Sequence, residues 1–355
     1  MNTFLLEKIL HTDSPSGNEK EIIDVIKANI YPSAKIITDN LGNCIACHNT
    51  TNNEYKVLII AHCDEVGFQV VKIEDNGYIR FRPIGGVSPT YLPGNCITIL
   101  NKNNKITGCI SYTPIHVQSK KREFEITYND LWIDIGAKTK QDAEKYIDIG
   151  DYISLNDGIY YSADGNHLFS KGLDNKLGVY VLLQTFNTLI KKDIPLSLYI
   201  SATVQEELGC RGCKAVINKI RPDLVIVVDA GICGDIPVQI ESKFGVVELG
   251  KGPGINYNPT NNFNLNKIIE NIAMENSIPF QRTVGYQTNK GTENAEIQTL
   301  LDGIITTHIC IPIRNMHMPH EICNIKDVQN SIQLIIKTLE YIAHIDNKEC
   351  VFIPW

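Results

Sequence analysis

Two features that would direct the chain toward nucleic acid or a membrane are missing from its 355 residues. Basic side chains number 33 against 40 acidic ones, so the net charge is −7 and no Lys/Arg-rich stripe is available for a phosphate backbone. The densest basic cluster, at 119–123, is typical of a solvated loop. No apolar run approaches the roughly 20 residues that span a bilayer. We therefore expect a protein that binds neither nucleic acid nor membrane.

The first ten residues lack the pattern of an export signal. Glu7 and Lys8 interrupt their short apolar stretch, which predicts an amphipathic helix and not a signal peptide. We therefore expect a cytoplasmic protein, in which the eleven cysteines stay reduced. Two cysteine patterns remain, "CIACH" at 44–48 for haem attachment and "CRGC" at 210–213 for a redox pair. Haem attachment would require export, for which no signal is seen. Because cysteine is commonly buried and then behaves as a small hydrophobic residue, we interpret both patterns as core packing.

The sequence contains no internal repeat or low-complexity tract, and its composition, 43% hydrophobic and 21% charged, is that of a globular protein with a large core. Buried-strand runs alternate with helix-length segments, which predicts an α/β fold with a central, mostly parallel or mixed sheet flanked by helices. The strand runs are 56–61, 196–204, 224–229 and 304–311. The helical segments are 174–192, 265–277 and 326–345.

Residues 67–162 have a different pattern. Alternating residues surround the turn dipeptide Asn76-Gly77, which is a strong hairpin signal, and residues 95–112 resemble a second hairpin. We predict a small β-rich domain at 67–162 that is inserted into a catalytic domain formed by 1–66 and 163–355.

Potential ligand side chains follow three of the predicted strands. The run 56–61 leads into His62 and Asp64, the run 196–204 leads into Glu206 and Glu207, and the run 224–229 ends at Asp229. Open α/β sheets form their sites beyond the carboxyl ends of the strands, so we expect these side chains to meet. Imidazole and carboxylate together suit zinc, cobalt or manganese in a hydrolytic site.

Two further segments supply candidate ligands, although each has an ordinary explanation. Asp174 stands at the expected start of a helix, where a carboxylate is favoured as an N-cap. His317 and His320 lie in a loop, and Pro319 between them excludes helical ligand spacing. A histidine in a loop is commonly just a solvated side chain.

Five motifs, taken together, resemble the tetrahedral (TET) dinuclear-metal aminopeptidases, a family that includes glutamyl, leucyl and lysyl aminopeptidases and some proteins labelled endoglucanase-like. They occur in the family's order and spacing: "AHCDEVGF", "KGLDNKLGV", "VQEELGCRG", "VVDAG" and "RNMHMPHEI". The likeness extends to "SPSGNEKE" near the start and "RFRPIGGVSP" in the insertion.

The resemblance implies a complete site with two divalent ions per subunit. One ion would bind His62, Asp174 and Asp229, and the other would bind Asp174, Glu207 and His317, with Asp174 as the bridge. His317 is preferred to His320 because it matches the family's His-x-Pro position.

The resemblance also assigns two residues that bind no ion. Asp64 would orient the His62 imidazole, and Glu206 would be the general base. Neighbouring side chains of an extended backbone point in different directions, so Glu206 and Glu207 can perform separate tasks.

The resemblance further implies that the inserted domain helps to build tetrahedral dodecamers, which limit the substrates to short or unfolded peptides. The sequence departs from the family pattern at Met318, where a small residue is usual, and at Glu293, where aspartate is usual. "VVDAGICGD" also lacks the threonine often found after the metal-binding aspartate. These departures concern substrate preference more than the chemistry.

Three other functions are weighed against an aminopeptidase. A related two-metal deacylase or dipeptidase more often has His-x-Asp-x-Val-Pro, whereas this chain has "HCDEVGF". A cellulase would need a free carboxylate pair, which metal binding would occupy. An inactive peptide-binding scaffold would be expected to have lost a ligand, and every expected ligand is present.

Overall fold

The computed structural model describes residues 2–48, 55–102, 104–117, 125–156, 158–192, 194–238, 245–284, 291–345 and 352. The basic cluster at 119–123 lies outside the described residues. The helices are Thr3–Leu10 (α1), Lys20–Asn29 (α2), Lys140–Ala143 (α3), Leu173–Leu189 (α4), Arg211–Ile220 (α5), Phe263–Glu275 (α6), Glu293–Ile297 (α7) and Ile325–His344 (α8).

The strands divide between one large sheet and one small barrel. In chain order they are Lys35–Thr38 (β1), Cys44–His48 (β2), Lys56–His62 (β3), Gly67–Ile73 (β4), Ile79–Ile84 (β5), Cys96–Asn101 (β6), Asn104–Ser111 (β7), Trp132–Asp134 (β8), Tyr152–Leu155 (β9), Tyr160–Tyr161 (β10), His167–Ser170 (β11), Ser197–Thr203 (β12), Leu224–Ile232 (β13), Gly254–Asn256 (β14), Gln281–Thr283 (β15), Ile305–Arg314 (β16) and Glu321–Asn324 (β17).

The large sheet has a parallel centre and antiparallel edges. Its main order is β1-β2-β12-β3-β13-β16-β17-β11-β10, and β14 and β15 join at β16. Strands β12, β3, β13 and β16 run parallel to one another. This mixed sheet with flanking helices confirms the predicted α/β fold.

Both faces of the central strands are buried, as their continuous apolar sequences predict. In β3, Val57 and Ile59 pack into a core beneath α1, α4 and α8, whereas Leu58 and Ile60 pack against α5 and α7 on the opposite face. The alternation follows from the two-residue period of a strand. The sheet therefore holds the ends of β3, β12 and β13 between two packed layers.

The remaining strands close into a six-stranded antiparallel barrel with the order β4-β5-β8-β7-β6-β9. The predicted hairpins are β4–β5, around Asn76-Gly77, and β6–β7. A separate hydrophobic core fills the barrel. Within it, the rings of Phe68 and Phe81 are in edge-to-face contact, with their centroids 5.3 Å apart. The barrel strands span Gly67–Leu155, and β10 already pairs within the large sheet. The domain limits of 67 and 162 stay a prediction.

The amphipathic helix expected at the N-terminus is α1, whose Leu5, Leu6, Ile9 and Leu10 are buried. Cys44 and Cys47 are buried in β2, between β1 and β12. Among the described residues, no helix is both long and apolar enough to cross a bilayer.

Candidate metal centre

The parallel centre of the sheet brings the predicted ligands together. His62 is the last residue of β3, and Asp229 lies near the end of the adjacent strand β13. Glu206 and Glu207 follow β12, which pairs with the other side of β3. The parallel register places all of them at one edge of the sheet, where the sequence predicted a site.

One group of ligand atoms converges on the His62 imidazole. Its Nε2 atom lies 3.1 Å from Asp174 Oδ1 and 3.3 Å from Asp229 Oδ1. On the other side of the ring, Nδ1 lies 3.1 Å from the Asp64 carbonyl oxygen. When Nδ1–H donates to that carbonyl, Nε2 is left with a lone pair directed at the two carboxylates.

A second group converges on His317. Its Nε2 atom lies 3.0 Å from Glu207 Oε1 and 3.5 Å from Asp174 Oδ2. Its Nδ1–H can donate to the carbonyl oxygen of Gly86, 2.9 Å away, in the loop that follows β5 of the barrel. The barrel therefore helps to fix the orientation of a candidate ligand from the large sheet.

Asp174 stands between the two groups, because Oδ1 faces His62 and Oδ2 faces His317. Its φ and ψ of −79° and 105° are not helical although it lies in the first turn of α4. Its backbone N–H donates to Glu321 Oε2 at 2.9 Å, and the His317 N–H donates to Glu321 Oε1 at 2.7 Å. Glu321 thus links the backbones of two candidate ligands.

The Asp64 carboxylate holds the paired glutamates more closely than it holds the His62 ring. It accepts the backbone N–H of Glu206 at 3.0 Å and that of Glu207 at 3.2 Å, and it accepts the Ser16 hydroxyl at 2.5 Å. Its distance to His62 Nδ1 is 3.6 Å. The Asp64 residue still contacts the imidazole, but the 3.1 Å contact comes from its backbone carbonyl.

The two glutamates direct their carboxylates to different places. Glu207 reaches His317, as described, whereas Glu206 Oε2 lies 4.0 Å from His62 Nε2. Both carboxylates line a cavity of about 460 Å³ that also contains His62, Asp174, Asp229 and His317. His320 is not among the cavity residues; its ring centroid lies 5.9 Å from that of Tyr160, with the two rings tilted by 41°.

The buried carboxylates of this cluster repel one another, and the two histidines offset that repulsion only in part. Burial, together with repulsion from Asp229 and Glu207, raises the pKa of Glu206 well above its ordinary value despite His62. Burial and Asp174 also raise the pKa of Glu207. For His317, burial acts in the opposite sense, but hydrogen bonds to Asp174 and Glu207 raise its pKa to about 12.

These features fit divalent cations. Among the described residues, three sets of three side chains have ligand atoms that all lie within 4.8 Å of one another: His62/Asp174/Asp229, Asp174/Glu207/His317 and His62/Glu206/Glu207. The first two sets are those that the family resemblance implies. Each set combines imidazole with carboxylate, which is the donor chemistry of hydrolytic zinc, cobalt or manganese sites. Cations would also offset the repulsion that raises the pKa of Glu206. The assignment of each residue to an ion stays a prediction.

Glu321, the first residue of β17, was missed in the sequence because a single acidic residue after the predicted histidine loop carries no distinctive signal. Its burial, at 2% exposure, and its two backbone contacts become visible only once α4 and β17 meet. Glu293, one departure from the family pattern, is also buried, and burial raises its pKa to about 8.

Comparisons with known proteins identify chains that are similar in sequence and in fold. The chain is 31% identical to the putative aminopeptidase SgcX of Escherichia coli (strain K12) over 93% of this chain and 91% of the relative. A TET aminopeptidase from the marine sediment archaeon Thaumarchaeota archaeon SCGC AB-539-E09 superposes with a TM-score of 0.90, at 28% identity, covering 98% of this chain and 97% of the other.

The TET1 peptidase of Pyrococcus horikoshii, described as assembling into a tetrahedron or a large octahedral shell, has a TM-score of 0.85 at 28% identity, with 94% and 98% of the two chains covered. Residues 42–334 match the family model described as M42 glutamyl aminopeptidase. The chain therefore belongs to the M42 family of aminopeptidases.

Proposed function

We propose that this protein is an aminopeptidase that uses two divalent ions and the Glu206 carboxylate to remove N-terminal residues from short peptides. The observation that carries the proposal is the position of Asp174, whose two carboxylate oxygens face two separate sets of imidazole and carboxylate ligands. In this proposal His62 and Asp229 complete one set, and Glu207 and His317 complete the other.

When bound, the two ions would supply Lewis acidity that activates a water molecule and stabilises negative charge on the attacked carbonyl oxygen. Glu206 then accepts a proton from the water and returns it to the leaving amine. Its buried position, with Oε2 4.0 Å from His62 Nε2 in the cavity, suits a group that exchanges a proton with a water molecule held there. Asp64 keeps this base in place through the backbone N–H of Glu206.

The ions are most simply zinc, with cobalt or manganese as alternatives from the same ligand chemistry. We also propose a large homo-oligomer, in keeping with the assembly described for the TET1 peptidase. The cytoplasmic location inferred from the sequence stays a prediction.

The proposal is tested by measuring metal content in protein purified without added metal salts, and then hydrolysis of aminoacyl chromogenic substrates. Each substrate is offered with a free and with an acetylated N-terminus. Release of the chromophore from the free form alone supports an aminopeptidase, and release of acetate from the acetylated form, which leaves the chromophore attached, supports a deacylase instead. Metal binding without hydrolysis of any substrate in the panel would favour an inactive scaffold.

A further inference from the structure

The proposed base Glu206 has a thiol as a close neighbour. The Sγ atom of Cys210 lies 3.2 Å from Glu206 Oε1, within hydrogen-bonding distance for sulfur, and Cys210 is only 5% exposed. The sequence alone assigns this cysteine to core packing, because cysteine is among the residue types most often buried. The structure adds a contact with a candidate catalytic group.

The backbone fixes where this thiol stands. The Glu206 carbonyl oxygen accepts the N–H groups of Gly209 and Cys210, each at 2.8 Å, so the chain turns tightly between the glutamate and α5. Cys210 is the residue before α5 and has a φ of 52°, in the left-handed region that few non-glycine residues adopt. This turn places the Cys210 side chain beside the Glu206 carboxylate, four residues earlier.

The two oxygens of the Glu206 carboxylate therefore have different surroundings. Oε1 faces the Cys210 thiol, whereas Oε2 faces the imidazole of His62 at 4.0 Å. A thiol held against a buried carboxylate is a hydrogen-bond donor, although a weak one. Burial and Glu206 both raise the pKa of the Cys210 thiol, which keeps its proton available for donation.

We propose that Cys210 is a positioning residue for the general base: its thiol holds Glu206 Oε1, so that Oε2 is presented to the water that attacks the peptide. This inference rests on the function proposed above and goes beyond it, because it assigns a role to a side chain that would bind neither an ion nor the substrate. Cys210 acts through Glu206 alone.

Cys213 provides a matched control within the same motif. It is buried and lies one helical turn away, but its Sγ contacts the carbonyl oxygen of Cys210, at 3.2 Å, and not the carboxylate. If the two cysteines only fill space, removal of either thiol should have a similar effect. If the hydrogen bond matters, Cys210 and Cys213 should differ.

The experiment compares Cys210→Ala, Cys210→Ser and Cys213→Ala by kcat, KM, bound metal and thermal unfolding midpoint. Cys210→Ala should lower kcat by about three- to tenfold, the loss expected for one modest hydrogen bond, with KM and metal content unchanged. Cys210→Ser restores a donor and should recover most of that kcat. Cys213→Ala should keep the wild-type kcat.

Two additional variants make the result decisive. Cys210→Gly suits a φ of 52° and also lacks the thiol, so it carries the test if the alanine variant does not fold. In a Glu206→Gln background, Cys210→Ala should cause no further loss, because the base that it positions is already gone.

A wild-type kcat in the folded Cys210→Ala and Cys210→Gly variants would overturn the inference. So would an equal loss in Cys213→Ala, or an undiminished loss in the Glu206→Gln background. A wild-type protein without aminopeptidase activity would be a failure of the proposed function itself. An active wild type that is indifferent to Cys210 would be a failure of this inference alone.

Discussion

Glu206 and Glu207 are adjacent in the chain but have different partners. The Asp64 carboxylate anchors both backbone N–H groups. The extended backbone expected from the sequence is wrong here: β12 ends at Thr203, and the two glutamates lie in the turn that follows, which directs their side chains to different partners. Glu207 reaches His317, and Glu206 faces His62 from a greater distance. The pair thus combines a candidate metal ligand with a carboxylate that can accept a proton.

Glutamine substitutions should separate these roles. Glu206→Gln keeps the side-chain shape but removes the proton acceptor, so we expect both ions to stay bound while kcat falls by about 10²–10⁴. Binding of substrate-like inhibitors should change much less, because the loss falls on the transition state. Glu207→Gln should weaken or lose one ion, because a neutral amide is a poor ligand.

The measurement is metal stoichiometry and kcat for the two variants side by side, with and without added metal. Partial rescue by metal is expected for Glu207→Gln only. Loss of metal from Glu206→Gln, with both ions retained in Glu207→Gln, would show that the roles are reversed.

At the scale of the elements, a buried ionic cluster joins the end of β3 to the start of α4. Glu65 Oε2 accepts from Lys176 at 2.8 Å, and Oε1 accepts from Lys171 at 3.2 Å and from Ser154 of the barrel strand β9 at 3.1 Å. Gly172 is required between the lysines, because a Cβ there would lie 2.4 Å from Glu65 Oε2. The cluster connects the barrel to the helix that carries Asp174.

Glu65→Gln should therefore destabilise the whole catalytic edge. Lys171 and Lys176 are 5% and 0% exposed. The substitution would remove the carboxylate charge that contacts Lys176, whereas Lys171 would keep Asp13 Oδ1 at 2.6 Å. We expect a loss of about 3–5 kcal/mol in the free energy of unfolding, as for other broken buried ion pairs. Urea unfolding of the variant and the wild type measures this difference.

Glu74→Gln is the matched control, because Glu74 also pairs with two cations, Lys72 and Arg80, but at the surface. Its free energy of unfolding should stay close to that of the wild type. Equal stability of Glu65→Gln and Glu74→Gln would contradict the importance of the buried cluster.

The strand β2 provides a prediction about the other cysteine pair. Cys44 and Cys47 are buried between neighbouring strands, so Cys44→Ala combined with Cys47→Ala should leave kcat/KM within a few-fold of the wild type. Activity assays and an absorbance spectrum check this expectation. A haem absorbance band in the wild type that disappears in the double variant would show that the pair is not mere packing.

The sequence predicted the central strands well because their apolar runs are buried on both faces, as in β3 and β13. It also predicted the hairpin at Asn76-Gly77, whose turn chemistry is local. The contacts of Glu321 and Cys210 could not be predicted, since each depends on a turn or a tertiary approach without a local signature. The Asp174 backbone likewise departs from the helix that its position suggests.

At the scale of the whole molecule, the barrel and the large sheet are coupled at the site, because Gly86 contacts His317. The barrel region also exposes large apolar side chains, including Ile115, Val117 and Ile149 at 77%, 71% and 66%. Exposed apolar surface of this kind is common at sites of self-association.

We therefore expect a large homo-oligomer in solution, to which the barrel contributes contacts. Light scattering coupled to size-exclusion chromatography measures the molar mass across micromolar concentrations. A mass many times that of one chain is the expected result, and a dodecamer would agree with the family resemblance. A monomer at every concentration would contradict the prediction.

We expect hydrolysis to require two ions, held by ligands from three strand ends, a helix start and a loop. The most direct test removes all metal with a chelator, verifies its absence by elemental analysis, and titrates zinc back while aminopeptidase activity is measured. Activity should be lost in the metal-free protein and should reach its maximum near two equivalents per subunit, with cobalt or manganese able to replace zinc. Full activity in verified metal-free protein would show that hydrolysis does not require the two ions.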